Sequence, residues 1–281
     1  MNLEAIANNI EKKDGIYYSK DNSRISYPEE GNENCLQIEQ DSFWFNHRNH
    51  VIIETVKTFS PNSFFFDIGG GNGFVSKGLQ NSGFKVALVE PGNVGTINAK
   101  SRNIDNIICS TLEDAEFKPE TMDSVGLFDV VEHIEDDLNF LSEIHNYLKS
   151  EGHVFITVPA HNMLWSREDL KAGHYRRYSL SGITQLLEKS GFKVEYSTYF
   201  FTILPIPIFL FRSIPSKLKL TKNSYDRLSK NKKEHSTKKS IINDIMKKVW
   251  NWELSYIKKL KKLNFGGSCL VVGKKLKENN I

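Results

Sequence analysis

The sequence predicts an α/β fold: a mostly parallel sheet with helices on both faces and a helical insertion before the last strand. Two observations predict it. From Phe64 onward, short apolar runs alternate with stretches of helical periodicity, as in strand–helix–strand units. The first run, Phe64-Phe65-Phe66-Asp67-Ile68, is a short apolar stretch like that of a buried parallel strand, and a glycine-rich turn follows it at once.

The elements follow in chain order. The opening stretch predicts a polar helix over 3–12, then loop to about residue 45. Val51, Ile52, Val56 and Phe59 recur at helical spacing and predict a helix over about 47–58, which Pro61-Asn62 breaks. Residues 1–60 thus read as an N-terminal helical cap. After the strand at 64–68 and its turn, a helix runs to about Gln80. Strands are predicted over 85–90, 106–109 and 124–131, then a helix over about 136–148. Ser150-Glu151-Gly152 turns into a strand over 153–158 that Pro159 ends. A helix over about 181–189 and a strand over 193–199 come next, and Gly266 to Lys274 returns as a seventh strand. The core domain then covers 61–204 and 264–276, with 205–263 as an apolar and basic helical insertion.

Composition sets the class. At 281 residues, 39% hydrophobic and 25% charged, the chain can bury a substantial core and has the make-up of an ordinary soluble protein. Cys35, Cys109 and Cys269 lie far apart, which argues against a disulfide framework or zinc ribbon and suits a reducing compartment. Met1-Asn2-Leu3-Glu4 shows no basic stretch leading into an apolar one, so the expected location is cytoplasmic. The net charge of +3 hides a contrast: residues 217–262 carry fifteen Lys and Arg against four acids. That segment is either a solvated helical surface or a site of attraction for an anionic partner.

The chemistry centres on Asp67-Ile68-Gly69-Gly70-Gly71-Asn72-Gly73-Phe74. Glycines after a buried strand let backbone approach a ligand closely, and the next helix presents its N-terminus there. Dinucleotide sites also use such turns, but a GxGxxG reading from Gly69 fails at Phe74. An acid-x-Gly-x-Gly-x-Gly pattern is met in full by Asp67, Gly69, Gly71 and Gly73. Glu90 ends the second strand, where a carboxylate can accept from both hydroxyls of a ribose. Further on stand Leu127-Phe128-Asp129-Val130-Val131-Glu132-His133 and the strand Val154 to Pro159.

This set, in this order, resembles the class I methyltransferases that use S-adenosylmethionine (SAM), in particular the small-molecule members reading D-V-L-E-H after the fourth strand. The resemblance covers about residues 44–200 and the last strand. It implies a Rossmann-like fold, with Gly69, Gly71 and Gly73 against the methionine portion and Asp67 organising the turn. Glu90 is then expected on the ribose, and Leu112 and Glu113 beside the adenine. The acid usual in that loop falls at Thr111 here, a departure. Asp129 is expected to border the cofactor, and S-adenosylhomocysteine (SAH) is the expected product. Asp129-x-x-Glu132-His133 also resembles the divalent-metal cluster of some methyltransferases. Many members carry Glu-His here without one, and no metal is assigned.

Methyl transfer from a sulfonium needs alignment of the acceptor and exclusion of water, and a hydroxyl acceptor also needs a base. His133 is a candidate, with an ordinary pKa near neutrality. His174 is the second, in the loop Gly173-His174-Tyr175-Arg176-Arg177-Tyr178, which is long for a simple connector. Trp44 and Arg48 stand where an N-terminal helix can lid the cofactor or contact the acceptor.

Residues 199–211 are apolar but short of the ~20 needed to span a bilayer, and cations follow. They suit contact with anionic lipid or a lipid-linked substrate, or packing inside the protein. The sequence reading is a SAM-dependent methyltransferase that O-methylates a small-molecule, glycan or lipid-linked acceptor. The alternatives are a nucleic-acid methyltransferase using the basic 217–262 segment, disfavoured because no N/D-P-P-aromatic motif follows the fourth strand, and a non-catalytic SAM-binding protein.

Overall fold

The computed structural model describes residues 1–20, 36, 38–39, 42–218 and 241–277. Cys35 and the part of the basic segment from 219 to 240 lie outside them. Two strands, β1 (Ile10–Lys13) and β2 (Ile16–Ser19), form a hairpin where a polar helix is expected. Asp14 and Gly15 both take positive φ (50° and 82°), the two-residue turn that matches strand twist. Ile16 is then buried and β2 pairs parallel with the edge of the sheet. The β-formers of Ile16-Tyr17-Tyr18 outweigh the weak helical periodicity before them. Only a short turn at Leu3–Ala5 precedes the hairpin.

The first helix described in full, α1 (Phe43–Phe59), starts where Ser42 Oγ accepts from the amides of Trp44 and Phe45, a hydroxyl cap. Then come β3 (Phe64–Ile68), α2 (Phe74–Asn81), β4 (Lys85–Val89), α3 (Asn93–Ser101), β5 (Asn106–Cys109) and a short α4 (Leu112–Ala115). They are followed by β6 (Met122–Phe128), α5 (Asp137–Tyr147), β7 (Leu148–Pro159), α6 (Arg167–Ala172), α7 (Leu180–Lys189) and β8 (Lys193–Phe200). A helical run over 205–217 contains a π turn at Phe209–Ser213. Last are α8 (Ile241–Lys258) and β9 (Ser268–Lys274).

Among the described residues the sheet has nine strands in the order β1-β2-β5-β4-β3-β6-β7-β9-β8. Seven are those the sequence implies, and the hairpin supplies the other two. The run from β2 to β7 is parallel, while β9 inserts antiparallel between β7 and β8. Alternation along β3 divides the core. Phe64, Phe66 and Ile68 pack with Leu141, Ile144, Ile183 and Leu187 of α5 and α7. Phe65 faces the other way, toward Val51, Ile52 and Val56 of α1 and Leu79 of α2. Both faces are therefore covered, as a parallel sheet requires.

Helix α8 is tied to α1 at a buried point. His47 Nε2 lies 2.7 Å from Glu253 Oε1, and the Glu253 carboxylate also accepts from the amides of Phe201 and Thr202. These donors, the imidazole foremost, hold the Glu253 carboxyl below its ordinary range despite burial. Trp250 stacks on Phe43 at 4.7 Å. Strand connections run outward from β3 to β5 on one side and from β6 to β7 on the other, so the order reverses between β3 and β6. Open α/β sheets bind ligands at such a switch, beyond the carboxyl ends of the strands.

Candidate functional site

A cavity of about 530 Å³ opens at that switch point, within the size range of small-molecule sites. Its floor is the turn between β3 and α2. Gly69 has φ +67°, and a Cβ there would lie 2.8 Å from Val130 Cγ2. Gly70 is tighter still, because a Cβ would meet Asp67 Oδ2 at 2.7 Å and overlap Leu88. Only glycine permits both the left-handed backbone and the close approach. Gly71 and Gly73 also have positive φ, and Gly73 caps α2 just behind the cavity wall.

Asp67 is 1% exposed, and its Oδ2 accepts from Ser76 Oγ at 2.6 Å. Burial pushes its carboxyl up to about 6, against the pull of Ser76 and the Arg48 cation. Glu90 is buried at the end of β4 with its oxygens accepting from the amides of Gly71 (2.9 Å) and Gly92 (2.8 Å). Here too desolvation raises the pKa, opposed by the two amides. Beyond β5, Thr111 Oγ1 accepts from the Asp114 amide and starts α4, which puts Leu112 and Glu113 on the cavity wall.

The segment after β6 departs from the sequence expectation. The strand stops at Phe128, Asp129 takes φ +58°, and Val131–His133 form a 3₁₀ turn. Glu132 and His133 therefore sit on a turn rather than on a strand that runs to Val131. Asp129 Oδ2 is 2.8 Å from Arg48 Nε, and its Oδ1 accepts from Thr157 Oγ1. Arg48 also lies over the Trp44 ring at 5.4 Å, a cation–π contact.

His133 and His174 meet edge to face with ring centroids 4.7 Å apart. Burial, with the neighbouring His174 second, drives the His133 pKa down to about 4, so it is neutral at pH 7; its ring donates to the Gly173 carbonyl. His174 Nδ1 is 3.0 Å from Asp169 Oδ1. Asp169 is buried, and burial alone would raise its carboxyl. The hydrogen bonds from His174 and Arg177 prevail and bring it to about 2. Arg177 closes on it through Nε at 2.8 Å and Nη2 at 3.1 Å. An ionised Asp169 can only accept, so His174 Nδ1 is the donor of this bond and Nε2 is the ring nitrogen left for other partners.

Beside the two imidazoles lies Glu132, 1% exposed. Neither of its carboxylate oxygens has a hydrogen-bond partner among the described residues. Burial, then the neighbouring Asp129 charge, push its carboxyl well up, toward the neutral acid. Glu132, His133 and His174 offer ligand atoms within 4.8 Å of one another.

Of the residues singled out in the sequence, the structure brings Asp67, Gly69, Gly71, Glu90, Leu112, Glu113, Asp129, His133 and His174 onto one cavity. Gly73 stands behind it. Sequence reasoning gives no role to Ser76, Thr157 or Asp169, whose meaning is tertiary. Glu39 escapes it as well; it lines the cavity, accepts from Asn72 Nδ2 at 3.2 Å and pairs with Arg102 at 2.5 Å.

These contacts fit a SAM molecule. The glycine turn packs against Val130, Leu88 and Asp67 with no room for a Cβ at Gly69 or Gly70 and lines the cavity, and Glu90 presents buried carboxylate oxygens at its edge. Residues 44–197 match the family described as a methyltransferase domain. A protein of Mycolicibacterium smegmatis, named as a probable S-adenosylmethionine-dependent methyltransferase, is 23% identical over 172 residues, 60% of this chain and 66% of that relative. The ubiquinone biosynthesis O-methyltransferase of Photobacterium profundum is 27% identical over 97 residues, 32% of this chain and 41% of the relative. The chain thus spans just under two thirds of the first relative and well under half of the second. The solved phosphoethanolamine N-methyltransferase 2 of Haemonchus contortus, in complex with S-adenosyl-L-methionine, shares the fold. Its TM-score is 0.54 at 20% identity, covering 90% of this chain and 59% of that one.

Proposed function

The chain belongs to the methyltransferase-domain family, and on that premise we propose that it O-methylates a small-molecule, glycan or lipid-linked acceptor with SAM as donor. One observation carries the oxygen acceptor: His174, oriented through Nδ1 by an ionised Asp169, faces the cavity that the glycine turn builds.

When bound, SAM supplies a methyl group already activated by its sulfonium. The residues divide the remaining work. Asp67, locked by Ser76, and the amides of the 69–73 turn hold the amino-acid end. Glu90 exchanges its amide partners for ribose hydroxyls, and Leu112 with Glu113 borders the base. Trp44 and Arg48 wall the side toward α1 and keep water out. The acceptor enters beside His133 and Ala172, and its hydroxyl gives its proton to His174 Nε2. The Asp169 carboxylate, held in place by Arg177, then stabilises the resulting imidazolium.

The test combines calorimetry with SAH and turnover of methyl-labelled SAM on hydroxyl acceptors. His174→Gln is expected to lower kcat about 10²–10⁴-fold and leave SAH affinity unchanged. Failure to bind SAH at millimolar concentration refutes the reading.

A second reading is favoured by the buried, unpartnered Glu132 oxygens within reach of two imidazoles. On it the trio holds a divalent cation, with Asp169 and the Gly173 carbonyl orienting the two rings as outer partners do. Dialysis against a chelator then abolishes turnover and spares SAH binding, and Glu132→Gln loses the metal.

A further inference from the structure

We propose that the face formed by residues 205–218 and 163–170 docks on an anionic lipid surface, from which an amphiphilic acceptor enters the cavity. The entry part rests on the cavity being the methyl-transfer site.

The run over 205–217 turns apolar side chains outward. Ile206, Leu210, Phe211 and Leu218 are exposed, Phe211 to 75%. The buried side of the same run is polar at its anchor points: Ser213 Oγ donates to the Leu164 carbonyl, and Ser216 Oγ accepts from the Arg167 amide. These bonds fix the run against the loop that begins α6. On that loop Met163 and Leu170 are exposed as well, Leu170 to 64%. Two elements joined by these hydrogen bonds thus both expose large apolar groups, and exposed apolar surface of this kind marks interaction sites.

Charge selects the occupant. From Tyr199 to Leu218 there is no acid, while Arg212 and Lys217 flank the apolar groups. Lys217 Nζ reaches the Met163 carbonyl at 3.4 Å, which puts a cation at the seam between the two elements. Lys171 is exposed on α6. The acids of α6 are Glu168 and Asp169, and Asp169 is buried in its own ion pairs. Apolar side chains bordered by cations suit insertion at the headgroup boundary of anionic lipid. No helix among the described residues is long and apolar enough to cross a membrane, so the contact lies along the surface.

The same loop leads inward. Leu170 points out of α6, while Ala172, its last residue, and His174 line the cavity. The exposed Leu170 thus lies four residues before the candidate base His174, so a lipid held at this face has its head group within a short stretch of chain from the cavity.

Sedimentation with phosphatidylglycerol-rich and pure phosphatidylcholine vesicles tests the proposal, with calorimetry against SAH in parallel. The full chain is expected to sediment with the anionic vesicles, to be released by salt, and to stay in solution with the neutral ones. Phe211→Asp and Leu210→Ser should each weaken that binding about tenfold or more with SAH affinity unchanged. Three results overturn it: an SAH-binding protein that ignores both vesicles, variants that bind as well as the parent, or a dimer in ultracentrifugation that Phe211→Asp abolishes. Vesicle binding in a protein that cannot bind SAH instead removes the methyl-transfer reading and leaves the lipid contact standing.

Discussion

Replacing Asp67 by asparagine isolates the energetic consequence of a buried charge. Asp67 is fully enclosed, and its pKa moves from 3.8 to about 6. Two units correspond to about 3 kcal/mol of folding free energy. The sign follows from proton uptake. The folded protein holds this proton more tightly than the unfolded chain, so the contribution to stability is complete below about pH 4. It is lost as pH rises through about 6. An asparagine side chain has no such proton to lose. Urea unfolding from pH 4 to pH 7.5 should therefore show Asp67→Asn gaining on the parent by about 3 kcal/mol across that window. Glu90, raised by burial and further by the Asp67 charge, adds a change of the same sign. Parallel stability curves for the two proteins would refute the reasoning. The asparagine variant should at the same time bind SAH more weakly, a trade of affinity for stability.

Three other outcomes are expected. Gly69→Ala, at φ +67° and 2.8 Å from Val130 Cγ2, should lose about 1–3 kcal/mol in thermal or denaturant unfolding. Glu90→Gln keeps the shape but turns one acceptor into a donor, and should raise the Kd for SAH about ten- to a hundredfold by calorimetry. Asp169→Asn leaves the Arg177 guanidinium buried without its carboxylate, a loss of about 3–5 kcal/mol in urea unfolding. Because the Asp169 carboxyl is held at about 2, the parent's advantage over that variant is present above about pH 4 and shrinks as pH falls toward 2.

The sheet and the glycine turn were legible in the sequence because local signals agree with the final packing. Phe64 to Ile68 can only be a strand buried on both faces, and the glycines stand where the backbone turns left-handed. The opening hairpin carries a signal too, Asp14-Gly15 between β-formers, but the polar stretch before it points to a helix. The end of β6 at Phe128 was not legible, since apolar residues continue to Val131 and only the left-handed Asp129 stops the ladder. Asp169 lay in view as Ser166-x-x-Asp169, a capping box. Its grip on His174 and Arg177 depends on where the loop folds back, which no spacing encodes. The same holds for Arg48 and Asp129, which are far apart along the chain and meet only because α1 packs over β6.

Strand β9 pairs with β7 along one edge and with β8 along the other. During synthesis this makes it a keystone delivered late. Strand β8 leaves the ribosome roughly 70 residues earlier, and at 5–20 residues per second it waits about 4–15 s for its neighbour in the sheet. Until Ser268 to Lys274 arrive, the open flank of β7 and the apolar side chains of β8 are available to chaperones or to other nascent chains. Errors in expression should therefore concentrate at this seam, and slower translation of the stretch between β8 and β9 would lengthen the exposure rather than shorten it.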